Sequence, residues 1–161
     1  MNQRRIDIMR RNDGFTLIEL IVVIIILGLL AATAVPKFIN LQKEARASTL
    51  KGLKAAMESA SSLVYSKSVI TGVENSPSGS VSVGSSTVKT VWGYPKAADD
   101  AGIWASLDLS VGDWSSHASG TTTLTVWPSS LGSAASSACY VIYNNATAGK
   151  RPTINVNVRG C

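Results

Sequence analysis

Histidine and cysteine are scarce in this 161-residue chain, at one and two residues, and charged residues make up only 16% of it. These shortages exclude several kinds of protein. His117 is distant in sequence from Cys139 and Cys161, a poor set for a transition metal. Asp99, Asp100, Asp108 and Asp113 are scattered and lack the dense oxygen-ligand pattern of a calcium loop. Neither a metal nor any other cofactor is expected. A Ser-His-Asp set can be drawn from Asp113, His117 and any of many serines, but a triad is defined by geometry, so at this serine content the residues carry no signal for catalysis. No Lys/Arg cluster occurs beyond residue 14, so nucleic acid is excluded as the main partner even though the formal net charge is +5.

What is present is concentrated at the N-terminus. Residues 20–32 read Leu-Ile-Val-Val-Ile-Ile-Ile-Leu-Gly-Leu-Leu-Ala-Ala, with one carboxylate, Glu19, at the mouth of the run. The 21 residues of 15–35, at ~1.5 Å each, match a hydrocarbon core of roughly 30 Å. That is longer than the apolar part of a secretory signal, and no clear small-residue cleavage site closes it; Ala-Ala-Thr-Ala at 31–34 is the nearest candidate. The segment is therefore expected to be retained. A lone charge in hydrocarbon is costly and marks a functional residue by default. Cleavage after Gly14 would give Phe15 a free ammonium four residues before Glu19. A cation on one subunit would then meet the anion of another inside an apolar filament core. This is a polymerisation device and not an active site. The leader holds Arg4, Arg5, Arg10 and Arg11 against Asp7 and Asp13, so of the 15 basic and 10 acidic residues 11 and 8 remain after such a cut, and the net charge falls from +5 to +3. A basic leader held in the cytoplasm suits the positive-inside rule.

Composition divides the chain into a polar leader at 1–14, one long helix over 15–67 with 15–35 as its membrane or filament-core part, and a β-rich head over 68–161. The fold class is α+β. The second half of the helix is amphipathic: Leu50, Leu53, Met57, Ala60 and Val64 recur at spacings of three and four, a stripe that belongs in a core packed on a sheet and not at a ligand site. Gly28 and Pro36 bracket a stretch that a helix tolerates poorly in water, since proline inside a helix costs ~3 kcal/mol, but tolerates in a membrane. Either it is a built-in weak point or it holds a static kink. Strands are expected at 80–83, 87–92, 122–127, 139–143 and 153–158, the last with Ile154, Val156 and Val158 inward, forming a single antiparallel meander over the helix stripe. Residues 72–86 and 114–120 read as exposed Ser/Gly-rich loops, and a short helix is expected near 103–107. Trp92, Trp104, Trp114 and Trp127 are read as core or inter-subunit packing, with sugar binding through exposed Trp and Asn as the alternative. Two cysteines in an exported chain read as one disulfide, Cys139 to Cys161, worth about 3 kcal/mol in the chain-entropy model.

The sequence Gly-Phe-Thr-Leu-Ile-Glu at 14–19, the apolar run behind it and Pro36 resemble the signature of type IV pilins and of type II secretion pseudopilins. Residues 34–46, 50–57 and 62–67 extend the resemblance to the major pilins of mannose-sensitive haemagglutinin pili; Trp-Gly-Tyr-Pro at 92–95 and the cysteine pair are similar in pattern only. The resemblance implies a prepilin peptidase that cuts between Gly14 and Phe15 and methylates Phe15. It implies an assembly pair between Glu19 and the Phe15 ammonium of a neighbour, a helix weak point from Gly28 to Pro36, and a disulfide between Cys139 and Cys161. It further implies a single-pass inner-membrane precursor of a Gram-negative bacterium, assembled by a membrane platform and its ATPases, with minor pilins, into an extracellular homopolymer. Such a filament serves surface attachment, adhesion to a surface or glycan ligand, biofilm formation and in some cases motility. A pseudopilin is the alternative, although major pseudopilins typically lack the disulfide and use a calcium loop. The 14-residue leader is longer than common in the family's first subclass, and Met9 offers an internal start.

Overall fold

The computed structural model describes residues 14–98, 100–110, 112–132 and 138–161; the leader residues 1–13 and Asp99 lie outside the described residues. One helix, α1 (Leu17–Thr71), takes up 55 residues and runs without a break through Gly28 and Pro36. Its end falls four residues beyond the expected boundary at 67. Ser68, where the composition changes, does not break the helix because its hydroxyl is doubly engaged, with the carbonyls of Val64 at 3.0 Å and Gly93 at 2.8 Å. Termination comes at Gly72, whose φ of 72° is left-handed. The N–H of Gly72 donates to the Val69 carbonyl at 3.2 Å and that of Val73 to the Ser68 carbonyl at 2.9 Å. These two bonds make a Schellman motif, a stop that glycine adopts at little cost.

The chain divides into two compact units between Leu41 and Gln42, inside α1. In the first unit the described side chains are solvent-exposed except Ala34, which is half-buried. The second unit contains the rest of α1 and all the strands. Its first sheet is β1 (Gly79–Val83), β2 (Ser86–Val91) and β3 (Tyr94–Pro95), in that order. The second is β4 (Trp114–Ser119), β5 (Thr123–Pro128), β6 (Tyr140–Asn144) and β7 (Thr153–Asn157), again in sequence order. Every pairing is antiparallel.

The helix stripe is buried as its spacing requires. Leu50, Leu53, Met57 and Ala60 join Leu124, Val126, Val141, Tyr143 and Ile154 in the main core, while Val64 packs with Val81 and Val88 beneath the first sheet. One helix thus serves two sheets in succession, not the single expected meander. The reason lies in residues 96–113, which leave β3 and carry Ala97 and Ile103 into the core of the second sheet. The expected short helix is there as a single 3-10 turn, Trp104–Ser106. The sheets are tied together by polar contacts. The Tyr143 hydroxyl donates to the Pro95 carbonyl at 2.8 Å. The Asn145 side chain accepts from the Ala97 N–H at 2.6 Å and donates to the Thr121 carbonyl at 3.2 Å.

Residues 114–120, expected as a loop, contain β4, an edge strand paired with β5 alone. His117 sits opposite Thr125 on it and is exposed. A strand at a sheet edge with little to bury carries no apolar alternation, so periodicity does not reveal it. The strand expected at 80–83 is present as β1, inside the Ser/Gly-rich stretch 72–86, and its Val81 is buried.

Candidate functional site

Gly14 is the first described residue and is exposed, and Phe15 is 92% exposed. Thr16 precedes the first helical residue and begins a Thr-x-x-Glu sequence. Its backbone N–H donates to Glu19 Oε2 at 2.8 Å, and its hydroxyl donates to the same oxygen at 2.7 Å. In return the Glu19 N–H lies 3.4 Å from Thr16 Oγ1. These reciprocal contacts form a capping box, which satisfies donors that the first turn of a helix leaves free. The spacing was legible as a capping signal, although Thr16 was not among the expected site residues. Glu19 therefore has a structural task in the single chain as well as the pairing role expected of it. In the described hydrogen bonds Oε1 takes no part, so the carboxylate keeps an oxygen directed to no partner of its own chain.

Behind this cap α1 is long and apolar enough to cross a membrane. Leu17, Ile18 and Leu20 are 75%, 69% and 62% exposed, and the exposed apolar surface continues along the helix to Leu41. So large a continuous apolar surface marks a membrane or protein contact. Gly28 and Pro36 lie within it; an added Cβ at Gly28 would meet no heavy atom within 4 Å. The site therefore consists of the exposed residues Gly14 and Phe15, a capped carboxylate and an uncovered apolar rod segment. That arrangement can insert into lipid or pack against copies of itself.

At the other end of the sequence Cys139 and Cys161 are disulfide-bonded. Both are buried in the main core, and the bond joins the entry of β6 to the residues just after its neighbour β7. Arg46 of α1 adds a 3.4 Å bond from Nη1 to the Cys161 carbonyl. Trp127 is buried, and its indole N–H donates to the Gly132 carbonyl at 2.9 Å. Trp104 and Trp114 pack partly buried against the core. Trp92 differs: it is half-buried and has a positive φ of 52°. Among the described residues no group of three or more His, Cys, Asp or Glu could hold a metal ion.

Residues 9–35 match the family model described as the prokaryotic N-terminal methylation motif. The chain is 48% identical over 50 residues to a type IV narrow pilus major component of Thermus thermophilus, covering 31% of this chain and 43% of that protein. It is 53% identical over 53 residues to the type IV major pilin protein PilA of Myxococcus xanthus, covering 30% of this chain and 24% of the relative. A type II secretion system core protein G of Pseudomonas aeruginosa is 46% identical over 43 residues, 27% of this chain and 30% of that protein. Each match thus spans less than half the length of the relative. No solved structure matches the chain significantly. Over its N-terminal third the chain is thus similar to two type IV pilus major subunits and to a type II secretion core protein, and its long helix, antiparallel sheets and C-terminal disulfide are consistent with the type IV pilin α+β fold.

Proposed function

We propose that this chain is the major structural subunit of a type IV pilus of the mannose-sensitive haemagglutinin kind, a filament for surface attachment. The observation that carries the proposal is the uncovered apolar segment of α1 with Glu19 at its head. In the precursor it lies in the inner membrane, with the basic leader on the cytoplasmic side. A prepilin peptidase cuts between Gly14 and Phe15 and methylates the new amino group of Phe15. Passage from lipid to a filament core exchanges one apolar environment for another, so the apolar side chains themselves oppose it little. The Phe15 ammonium of one subunit then meets the Glu19 carboxylate of its neighbour and fixes register. Residues 28–36 act as the compliant stretch of the rod, since a proline there removes one backbone hydrogen bond. The assembly platform, its ATPases and minor pilins complete the machine.

Leaving a charge unpaired in an apolar core costs roughly 3–5 kcal/mol. Glu19→Ala is therefore expected to be cleaved and methylated as in the wild type yet to give at least about tenfold less filament. Intact mass reads the first property, and pelleting of sheared fibres reads the second. Wild-type filament yield from Glu19→Ala would remove the charge pair from the account.

The similarity to a type II secretion core protein favours a second reading, a pseudopilin. The disulfide of the head supports the pilin. Electron microscopy of surface fibres decides: long sheared filaments built of this chain belong to a pilus, and their absence from cells that make and process it belongs to a pseudopilin.

A further inference from the structure

The four-stranded sheet ends on β4, whose six residues pair with β5 alone. Among the described residues no backbone hydrogen bond joins residues 114–119 to any element but β5. An edge strand turns about half of its backbone N–H and C=O groups away from its one neighbour. Trp114 and Ser115 are half-buried, whereas Ser116, His117, Ala118 and Ser119 are exposed, so the outer edge is open over most of its length.

Sheet edges are ordinarily blunted by shortness, proline or charge. The other three edges are. β3 is two residues long and ends on Pro95, β1 starts two residues after Pro77, and β7 lies between Arg151 and Arg159. β4 is the longest edge strand among the described residues, and its Trp-Ser-Ser-His-Ala-Ser sequence holds no proline, no lysine or arginine and no acid. The nearest charge along the chain, Asp113, is turned inward: its N–H donates to the Ser110 carbonyl at 3.3 Å, and its carbonyl accepts from the Ser129 N–H at 2.9 Å.

The strand is also nearly symmetric about His117. Ser116 and Ala118 flank it, then Ser115 and Ser119, then Trp114 and Gly120. We infer that β4 is a self-association edge, at which two copies of this chain pair antiparallel about a two-fold axis at His117 and join two four-stranded sheets into one of eight strands. In that register His117 stands opposite its own copy, Ser116 opposite Ala118, and Ser115 opposite Ser119. Trp114 stands opposite Gly120, which has no side chain to crowd the indole. Asp113 stands opposite Thr121 and not another carboxylate, so no like charges face each other. Self-pairing uses the near-symmetry, the absence of charge and the bare Gly120 together; an unrelated extended segment needs none of them. The edge is also pre-formed, because the hairpin is braced from behind: Thr123 Oγ1, on the residue opposite Ser119, donates to Asn144 Oδ1 at 2.8 Å, and Asn144 Nδ2 donates to Thr153 Oγ1 at 3.1 Å.

A single contact of this kind is weak, since it buries little apolar surface, but repeated along a polymer it gains avidity. Neighbours in a helical filament are related by a screw operation and not by a two-fold axis. In the proposed pilus the contact therefore joins heads of different filaments into bundles. That last step rests on the filament reading; the pairing of two heads does not.

The test uses the full chain in detergent micelles with single cysteines introduced on β4, oxidised and read by non-reducing electrophoresis. Directly opposed residues have Cα atoms about 4.5–5.5 Å apart, within disulfide reach, so His117→Cys is expected to give a linked dimer. In this register Ser115 and Ser119 each lie four residues, roughly 13 Å, from their own copies. Ser115→Cys alone and Ser119→Cys alone are therefore expected to link at least about tenfold less, and an equal mixture of the two is expected to restore linking. No dimer from His117→Cys, a Ser115→Cys dimer formed as readily as the His117→Cys one, or a mixture that links no better than its parts would each overturn the inference.

Discussion

Tyr143 of β6 is fully buried at the meeting point of the two sheets. Burial is the main reason its phenol is pushed well above the ordinary tyrosine range, with the nearby Tyr94 acting in the same direction and the Ser61 hydroxyl in the opposite one. Tyr94 is also raised, chiefly by burial, while Arg151 beside it pulls it back. Below about pH 10, the ordinary tyrosine value, both folded and unfolded chains carry a neutral phenol. Above it the unfolded chain ionises first, so folding stability is intact at neutral pH and lost as the pH rises beyond about 10. Tyr143→Phe is expected to cost roughly 1–3 kcal/mol at pH 7, because the Pro95 carbonyl loses its donor in the interior. The same variant should show a shallower loss of stability between about pH 9 and 11 than the wild type. Urea unfolding followed by tyrosine and tryptophan fluorescence across that range checks both effects. At this scale the sequence was an incomplete guide. Cys139 and Cys161 stood out by scarcity, and Glu19 stood out by isolation. Thr16 had a signal only in its spacing to Glu19, Trp92 was read as a packing residue and not as a turn residue with positive φ, and Tyr143 gave no signal, because a buried hydroxyl depends on partners that composition does not reveal.

At the scale of the element, α1 shows which patterns carry structure. Its stripe at 50, 53, 57, 60 and 64 was readable because each position buries an apolar group against a sheet. Ser61 and Ser68 are buried on the same helix without being readable, since a small polar side chain gives no periodic signal. The helix end was misplaced for a related reason: composition changes at Ser68, but the conformation changes at Gly72. Met57 is fully buried in the main core, so Met57→Ala is expected to destabilise the head by about 2–5 kcal/mol, measured as a fall in the urea midpoint with an unchanged slope. Among the strands, β6 and β7 were legible from apolar residues flanking the cysteines, whereas β4, rich in serine and exposed on its edge, was not. The tight turn at Trp92 and Gly93 had a signal in the glycine, which the tryptophan before it obscured.

At the scale of the whole molecule, the chain combines a head with a closed, disulfide-stapled core and an N-terminal unit with almost nothing covered. A head with its own core is organised to remain folded in water, whereas the uninterrupted exposed run from Leu20 to Ala32 is not. That contrast was visible in the sequence, as was the carboxylate where the apolar run begins; the division of the head into two sheets was not, because sheet membership is decided by long-range pairing. The central claim is that the apolar rod is uncovered at its N-terminus by one cut and then bundles with copies of itself outside the cell. The most direct measurement is the intact mass of this chain in fibres sheared from the cell surface. The expected mass is that of residues 15–161 with one added methyl group on Phe15 and the cysteines joined. Fibres whose subunits retain residues 1–14, or processed cells that yield no fibres of this chain, would contradict it.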